Sequence, residues 1–116
     1  MIANGGGSIV TLGGMMSLSG AKNAYTARCP SMASSFTRGL AREFGDRNIR
    51  ANCIAPGQMN TVRAAGRTAP LGDSMIPLAR KGDAEEIATV VRFLCSPASS
   101  YVTGQSIQIN GGQMMF

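Results

Sequence analysis

The chain has 116 residues, of which 44% are hydrophobic and 15% are charged. This composition is typical of one globular domain and excludes a disordered chain, and no apolar run approaches the roughly 20 residues of a membrane-spanning helix. The sequence contains no histidine, which excludes Ser-His-Asp and Cys-His catalysis and every metal site that needs imidazole. Because the residues after Met1 show no signal-peptide pattern, we expect a cytoplasmic protein.

The net charge of +5 arises from 11 Lys and Arg residues against 6 Asp and Glu residues. The cations are spread along the chain, with neither a basic run nor a set of aromatic residues for stacking on bases. We therefore expect no nucleic-acid partner.

The three cysteines lie far apart in the sequence and show no C-x-x-C spacing: Cys29, Cys53 and Cys95. An odd number without an export signal predicts reduced thiols. Since free cysteine is among the most buried residue types, we expect all three to be buried.

The first half of the chain predicts a strand, a helix and a second strand. Ser8–Leu12 is a short apolar run between glycines, which is typical of a buried parallel strand. From about Met32 to Phe44, apolar residues at every fourth position predict an amphipathic helix that ends at Gly45. This stripe consists of Met32, Phe36, Leu40 and Phe44. The second strand is predicted over Ile49–Ala55, before a Pro-Gly pair.

The second half predicts a long loop, a helix and a third strand. Glycines and prolines break any periodicity over residues 57–82, which indicates a loop. Asp83 is placed to cap a helix whose apolar face is formed by Ile87, Val90, Val91 and Leu94. Ser106–Ile109 alternates as a strand. With crossover helices, this order predicts an α/β fold with three parallel strands.

Five segments, in this order, resemble the C-terminal half of a short-chain dehydrogenase/reductase. They are Tyr25–Cys29, Asn48–Gly57 with Thr61, Asp83–Ala88, Ser99–Gln105 and Asn110–Gly112. The nearest resemblance is to the 3-oxoacyl-acyl-carrier-protein reductase type. It implies a partial Rossmann-like parallel sheet, the last three strands of the doubly wound fold, in a single truncated domain over residues 1–116.

The resemblance implies NAD or NADP as cofactor and the reduction of a small carbonyl compound or oxidation of an alcohol. In the family, a glycine-rich turn between a strand and a helix holds the pyrophosphate. Gly5–Gly7 precedes a strand instead, so we interpret it as a plain turn. We therefore expect no tight cofactor binding by this chain alone.

The family's catalytic groups are incomplete in this sequence. In the family a tyrosine donates the proton, a serine holds the substrate oxygen, and a lysine four residues after the tyrosine lowers its pKa. Tyr25 matches the tyrosine, but Cys29 stands at the lysine position and Gly14 at the serine position. Arg28 is a candidate stand-in for the cation, although a guanidinium cannot relay a proton. Two residues are candidates for the missing hydroxyl: Ser17 and Ser19.

Pro30 leaves two alternatives open for the helix that follows Tyr25. A helix that runs through a proline loses one hydrogen bond, at a cost of about 3 kcal/mol. A helix that begins at Pro30 has proline at a favourable position but leaves Tyr25 in a loop.

The turn after the second predicted strand matches the family's cofactor-facing turn. The matching residues are Pro56, Gly57, Met59 and Thr61. In the family this stretch contacts the nicotinamide end through backbone groups and the threonine hydroxyl. The alternative interpretation is a simple strand-ending turn.

Two hypotheses for the function remain open. One is an impaired oxidoreductase whose nucleotide-binding half comes from a partner chain. The other is a non-catalytic pseudoenzyme, assembly subunit or gene fragment that pairs with a full-length relative. In the family the helix at about residues 31–44 commonly lies at a subunit interface, so we expect a homo- or hetero-oligomer through it.

Overall fold

The computed structural model describes residues 1–15, 24–61 and 73–115, without the side chains of residues 24–31 and 73. Its strands are β1 (Gly7–Leu12), β2 (Ile49–Pro56) and β3 (Ser106–Ile109). Its α-helices are α1 (Ala24–Phe44) and α2 (Ala84–Cys95). Short 3-10 helices lie at Ile2–Asn4, Gly45–Arg47, Asp73–Met75 and Pro97–Ser99. The predicted order of strands and helices is confirmed.

The strands form a parallel sheet in the order β1-β2-β3. In the register, Leu12 lies opposite Ile54, and Pro56 lies opposite Ile109. The chain therefore leaves all three strands at the same edge of the sheet. The prediction of an α/β fold with three parallel strands is confirmed.

The central strand β2 forms most of the buried core. Five of its residues are buried apolar residues: Ile49, Ala51, Cys53, Ile54 and Ala55. A nearly continuous apolar run is expected of a parallel strand that is covered on both faces. Asn52 is fully buried within this run, and its amide is satisfied by the loop before β3. Its Nδ2 donates to the Val102 carbonyl at 2.9 Å, and its Oδ1 accepts the Gln105 N–H at 3.1 Å.

Helix α1 begins at Ala24, well before the apolar periodicity starts, and it continues through Pro30. Of the two alternatives for Pro30, the structure shows the helix that runs through it. Because proline has no N–H, the hydrogen bond to the carbonyl four residues earlier is missing, at a cost of about 3 kcal/mol. Tyr25 consequently lies in the first turn of α1, not in a loop.

Helix α1 packs on the sheet through small hydroxyl side chains. Thr37 is fully buried, and its Oγ1 lies 2.6 Å from Oγ1 of Thr11 on β1. Ser34 is also buried, and its Oγ lies 2.5 Å from Oγ of Ser106 on β3. The apolar stripe faces outward at its start, since Met32 is 61% exposed and Phe36 is 62% exposed.

Helix α2 follows the predicted pattern at both its start and its apolar face. Asp83 is the N-cap, and its N–H donates to Glu86 Oε2 at 2.8 Å, as in a capping box. Leu94 is fully buried, and the other three predicted apolar residues are half-buried.

The two described cysteines differ in burial. Cys53 is a buried free thiol on β2, as predicted. The prediction is wrong for Cys95, which is exposed at the last position of α2. Its position directly follows Leu94, so it lies off the apolar face of the helix. The Cys29 side chain lies outside the described residues.

Candidate functional site at the carboxyl edge of the sheet

The candidate site lies where the three parallel strands end, the edge at which open α/β sheets bind ligands. Two hydrogen bonds extend the pairing of β1 with β2 beyond the strands: Gly13 N–H to the Ile54 carbonyl at 2.8 Å, and Met15 N–H to the Pro56 carbonyl at 3.3 Å. Gly14, which stands at the family's serine position, is thereby held beside the end of β2.

Gly57 is required by the close approach of two turns. A Cβ at this position would lie 2.6 Å from Cβ and 2.7 Å from Cα of Asn110, which directly follows β3. The Gly57 N–H donates to the Ile109 carbonyl at 2.9 Å. Sheet packing therefore accounts for the glycine and uses its N–H, and the Pro56 carbonyl is likewise bonded to Met15.

Met59 and Thr61 present polar groups that the described residues leave unpaired. The chain on either side of Met59 is fixed, because Asn60 N–H donates to the Gly82 carbonyl at 2.7 Å and Gly82 N–H donates to the Gln58 carbonyl at 3.0 Å. The Met59 N–H has no partner in the described part of the chain. Thr61 is exposed, and its hydroxyl likewise has no partner among the described residues. These two groups are available to a ligand.

A segment that we call the strap, residues 76–82, crosses the end of β3. The Leu78 N–H donates to the Gly111 carbonyl at 3.1 Å. Gly111 and Gly112 have φ angles of +63° and +82°, and a Cβ on Gly111 would lie 2.8 Å from Ile76 Cγ2. Both glycines are thus needed for the turn that lets the strap lie against the sheet.

An ion pair joins the strap to the first turn of α2. Arg80 donates from Nη1 to Glu86 Oε2 and from Nη2 to Glu86 Oε1, each at 2.8 Å. The Arg80 guanidinium, followed by the Asp83 N–H, lowers the pKa of Glu86 to about 2. Glu86 is therefore ionised at every ordinary pH. This pair could not be predicted from the sequence, because a separation of six residues across a loop carries no helical signal.

The predicted catalytic residues lie on α1 and at the end of β1. Tyr25, Arg28 and Cys29 occupy the first two turns of α1, so Cys29 follows Tyr25 at the i, i+4 helical spacing. Their side chains lie outside the described residues, as do Ser17 and Ser19. The structure therefore gives the spacing of these positions, and their roles stay predictions.

A family model described as Enoyl-(Acyl carrier protein) reductase matches residues 1–114. The chain belongs to the short-chain dehydrogenase/reductase family. Among curated members, it is 44% identical over 117 residues to the 3-oxoacyl-[acyl-carrier-protein] reductase FabG of Pseudomonas aeruginosa, a match that covers 94% of this chain and 46% of that protein. Protein FixR of Bradyrhizobium diazoefficiens is 43% identical over 93 residues, covering 80% of this chain and 33% of that protein.

A solved short-chain dehydrogenase/reductase structure has the same fold. The crystal structure of a putative short-chain alcohol dehydrogenase from Sinorhizobium meliloti superposes with a TM-score of 0.88 and 35% identity, over 97% of this chain and 47% of that one. The chain thus spans between about a third and about a half of the length of these proteins. Among its described residues, no helix is long and apolar enough to cross a membrane.

We predict that Gly57→Ala destabilises the chain by about 1–3 kcal/mol, the usual cost of overpacking a filled site. The reason is that the Cβ of the added alanine would lie only 2.6 Å from the Cβ of Asn110. Urea unfolding followed by circular dichroism measures this change. Gly39→Ala on α1 is the matched control, because a Cβ there meets nothing within 4 Å and the helix gains about 0.5–1 kcal/mol. Equal effects of the two substitutions would contradict the packing role of Gly57.

Proposed function

We propose that the chain forms the carboxyl-terminal half of an NAD(P)-dependent oxidoreductase domain that reduces carbonyl compounds or oxidises alcohols. The observation that carries the proposal is a pair of groups at the carboxyl edge that have no partner in the described part of the chain, the Met59 N–H and the Thr61 hydroxyl. A donor and a hydroxyl on neighbouring residues fit the carboxamide of a nicotinamide ring, which needs both an acceptor and a donor partner.

The free edge of the sheet supports the idea of a half-domain. Among the described residues β1 is an edge strand, and Leu12 at its end is 64% exposed. Beside it, an open apolar groove is lined by residues that include Ile2, Ile9 and Leu40. An apolar edge strand of this kind is ordinarily covered or paired. We infer that the nucleotide-binding strands of the domain complete the sheet at this edge.

In the proposed reaction the bound cofactor supplies the hydride. Met59 and Thr61 orient the nicotinamide end, with Pro56 and Gly57 holding the turn in place. Tyr25 delivers the proton to the carbonyl oxygen from the first turn of α1. The relatives named 3-oxoacyl-[acyl-carrier-protein] reductase favour a 3-oxoacyl thioester as the substrate. The buried free thiol of Cys53 suits a reducing compartment such as the cytoplasm.

The same residues predict that turnover is weak. Cys29 brings no positive charge to the Tyr25 hydroxyl, whereas the family's lysine does. Arg28, one position earlier, carries a charge but differs from lysine in shape and cannot give up its proton. Gly14 has no hydroxyl to hold the substrate oxygen. We therefore propose that the chain alone reduces carbonyl compounds slowly or not at all.

A chimera tests this proposal. In this chimera, the amino-terminal half of the Pseudomonas aeruginosa relative is fused to this chain. We predict that introducing Gly14→Ser and Cys29→Lys together raises its turnover rate at least about 100-fold, which is the usual scale of general acid catalysis. The measurement is the oxidation of NADPH with a 3-oxoacyl thioester.

The control for an added lysine is Cys95→Lys, because Cys95 is exposed and lies outside the turns of the site. The 116-residue chain with the double substitution should stay at background. An equally active unsubstituted chimera, or rapid turnover by the chain alone, would show that the proposed defects do not limit the reaction.

The exposed stripe of α1 favours a second candidate function, a non-catalytic subunit that associates through this helix. Met32 and Phe36 lie four residues apart on one face and are both more than half exposed, at 61% and 62%. Since this helix commonly forms a subunit interface in the family, we propose α1 of a second copy as the partner.

Phe36→Ser tests the association. We predict that the substitution lowers the molar mass measured by light scattering from that of a dimer to that of a monomer, because it removes the most exposed aromatic residue of the stripe. The matched control is Phe93→Ser on α2, since Phe93 is 44% exposed but lies on another helix. A wild-type monomer, or a dimer that Phe36→Ser leaves intact, would refute this association.

A further inference from the structure

The turn that carries Met59 is held on both sides by one residue of the strap. The Gly82 carbonyl accepts the Asn60 N–H at 2.7 Å, and the Gly82 N–H donates to the Gln58 carbonyl at 3.0 Å. Met59 lies between these two bonds and pairs with Gly82 as an isolated parallel β-bridge. The position of Met59 therefore depends on where the strap places Gly82.

A single carboxylate binds the chain on both sides of Gly82. Its two oxygens accept the Arg80 guanidinium, and Glu86 Oε2 also accepts the Asp83 N–H, all at 2.8 Å. Glu86 belongs to the first turn of α2, a helix that packs against β1 and buries Leu94 completely. The carboxylate thus joins the end of the strap to a helix that the core holds in place.

The absence of a side chain at residue 82 brings these groups together. A Cβ on Gly82 would lie 2.9 Å from Met59 Cε and 3.5 Å from Glu86 Oε2. The end of the Met59 side chain and the Glu86 carboxylate therefore both lie close to the Gly82 backbone. A displacement of the strap from α2 would move the residue on which the Met59 turn rests.

The ion pair is half-exposed, with 53% of the Arg80 side chain and 42% of the Glu86 side chain accessible. Exposed ion pairs usually contribute little to the stability of a whole protein. The bidentate geometry of this pair, however, fixes the direction of the guanidinium as well as its distance. Its effect is therefore expected in the position of the strap rather than in the stability of the fold.

We propose that Arg80 and Glu86 are positioning residues, which act through Gly82 to hold Met59 in place for the ligand of the carboxyl edge. Neither residue needs to touch that ligand. Its identity as the nicotinamide end of NAD or NADP rests on the proposed function, whereas the link from Glu86 to Met59 does not.

Amide hydrogen exchange of the chain without ligand tests this link. Arg80→Glu puts a second carboxylate beside Glu86, and the repulsion should drive the strap away from α2. We expect the Asn60 and Gly82 N–H groups to exchange about three- to tenfold faster. The Gly57 N–H, which donates to the Ile109 carbonyl within the sheet, should change less than about twofold.

Two further variants make this comparison specific. Arg92→Glu is the matched control, because Arg92 Nη1 donates to Glu85 Oε1 at 2.9 Å on the same helix but outside the strap. It causes the same change of charge and the same kind of repulsion, and should leave the exchange of Asn60 and Gly82 unchanged. Arg80→Met removes the pair without adding a charge, and should accelerate both groups about two- to threefold.

The effect on the ligand is measured in the chimera that carries Gly14→Ser and Cys29→Lys. We expect Arg80→Glu to raise the KM for NADPH at least about threefold, because the turn spends less time in the position that binds. The kcat should change less than about twofold, since the chemical groups of the bound complex are untouched. Arg92→Glu should leave both constants unchanged, which controls for the altered net charge.

Two results would overturn the proposal. One is equal exchange of Asn60 and Gly82 in the Arg80→Glu and Arg92→Glu chains, which would show that the ion pair does not hold the turn. The other is an unchanged KM for NADPH although the exchange accelerates, which would show that the turn does not position the cofactor. A chimera that is inactive in every form would contradict the proposed function alone, and the exchange comparison would then decide whether the pair holds Met59.

Discussion

The pairing of β2 with both of its neighbours is the constraint on which the rest of the structure depends. β2 contributes five buried apolar residues, and it also holds a fully buried Asn52 whose amide fixes the loop that leads into β3. Because β1 and β3 are both parallel to β2, the residues that follow each strand meet at one edge. The candidate site lies at this edge.

The turn after β2 serves both the sheet and a ligand. Pro56 and Gly57 use their backbone groups to join β2 to the chain beyond β1 and to β3, whereas the Met59 N–H and the Thr61 hydroxyl have no partner among the residues that the structure describes. A family motif of this kind therefore combines residues that position the turn with residues that can bind a ligand. Gly57 belongs to the first group because its missing Cβ admits Asn110.

The sequence was sufficient to predict the strands and helix faces whose buried apolar residues recur at a regular spacing. The strands were placed to within a residue or so, and the face of α2 around Leu94 was correct, since each depends on local apolar patterning. The start of α1 was left open between two alternatives because Pro30 interrupts the pattern, while the helix itself continues through it. The outward position of Phe36 was not predictable either, because the sheet accepts Ser34 and Thr37 through hydroxyl pairs.

The ion pair of Arg80 with Glu86 is a feature of the site that the sequence did not predict. It depends on the path of the loop that brings the strap against the first turn of α2. Such a pairing has no fixed spacing in sequence. The resemblance to a family identified the matching residues at the site. Only the backbone hydrogen bonds of the turn distinguish the residues that pair with the sheet from those whose polar groups have no partner among the described residues.

Amide hydrogen exchange along this turn, measured by nuclear magnetic resonance on the chain without ligand, tests the central claim most directly. The account predicts that the Gly57 and Asn60 N–H groups, which donate to the Ile109 and Gly82 carbonyls, exchange at least about tenfold more slowly than that of Met59. Equal protection at all three residues would mean that the Met59 N–H is already bonded within the protein. The carboxyl edge would then lack the free donor on which the proposed cofactor contact depends.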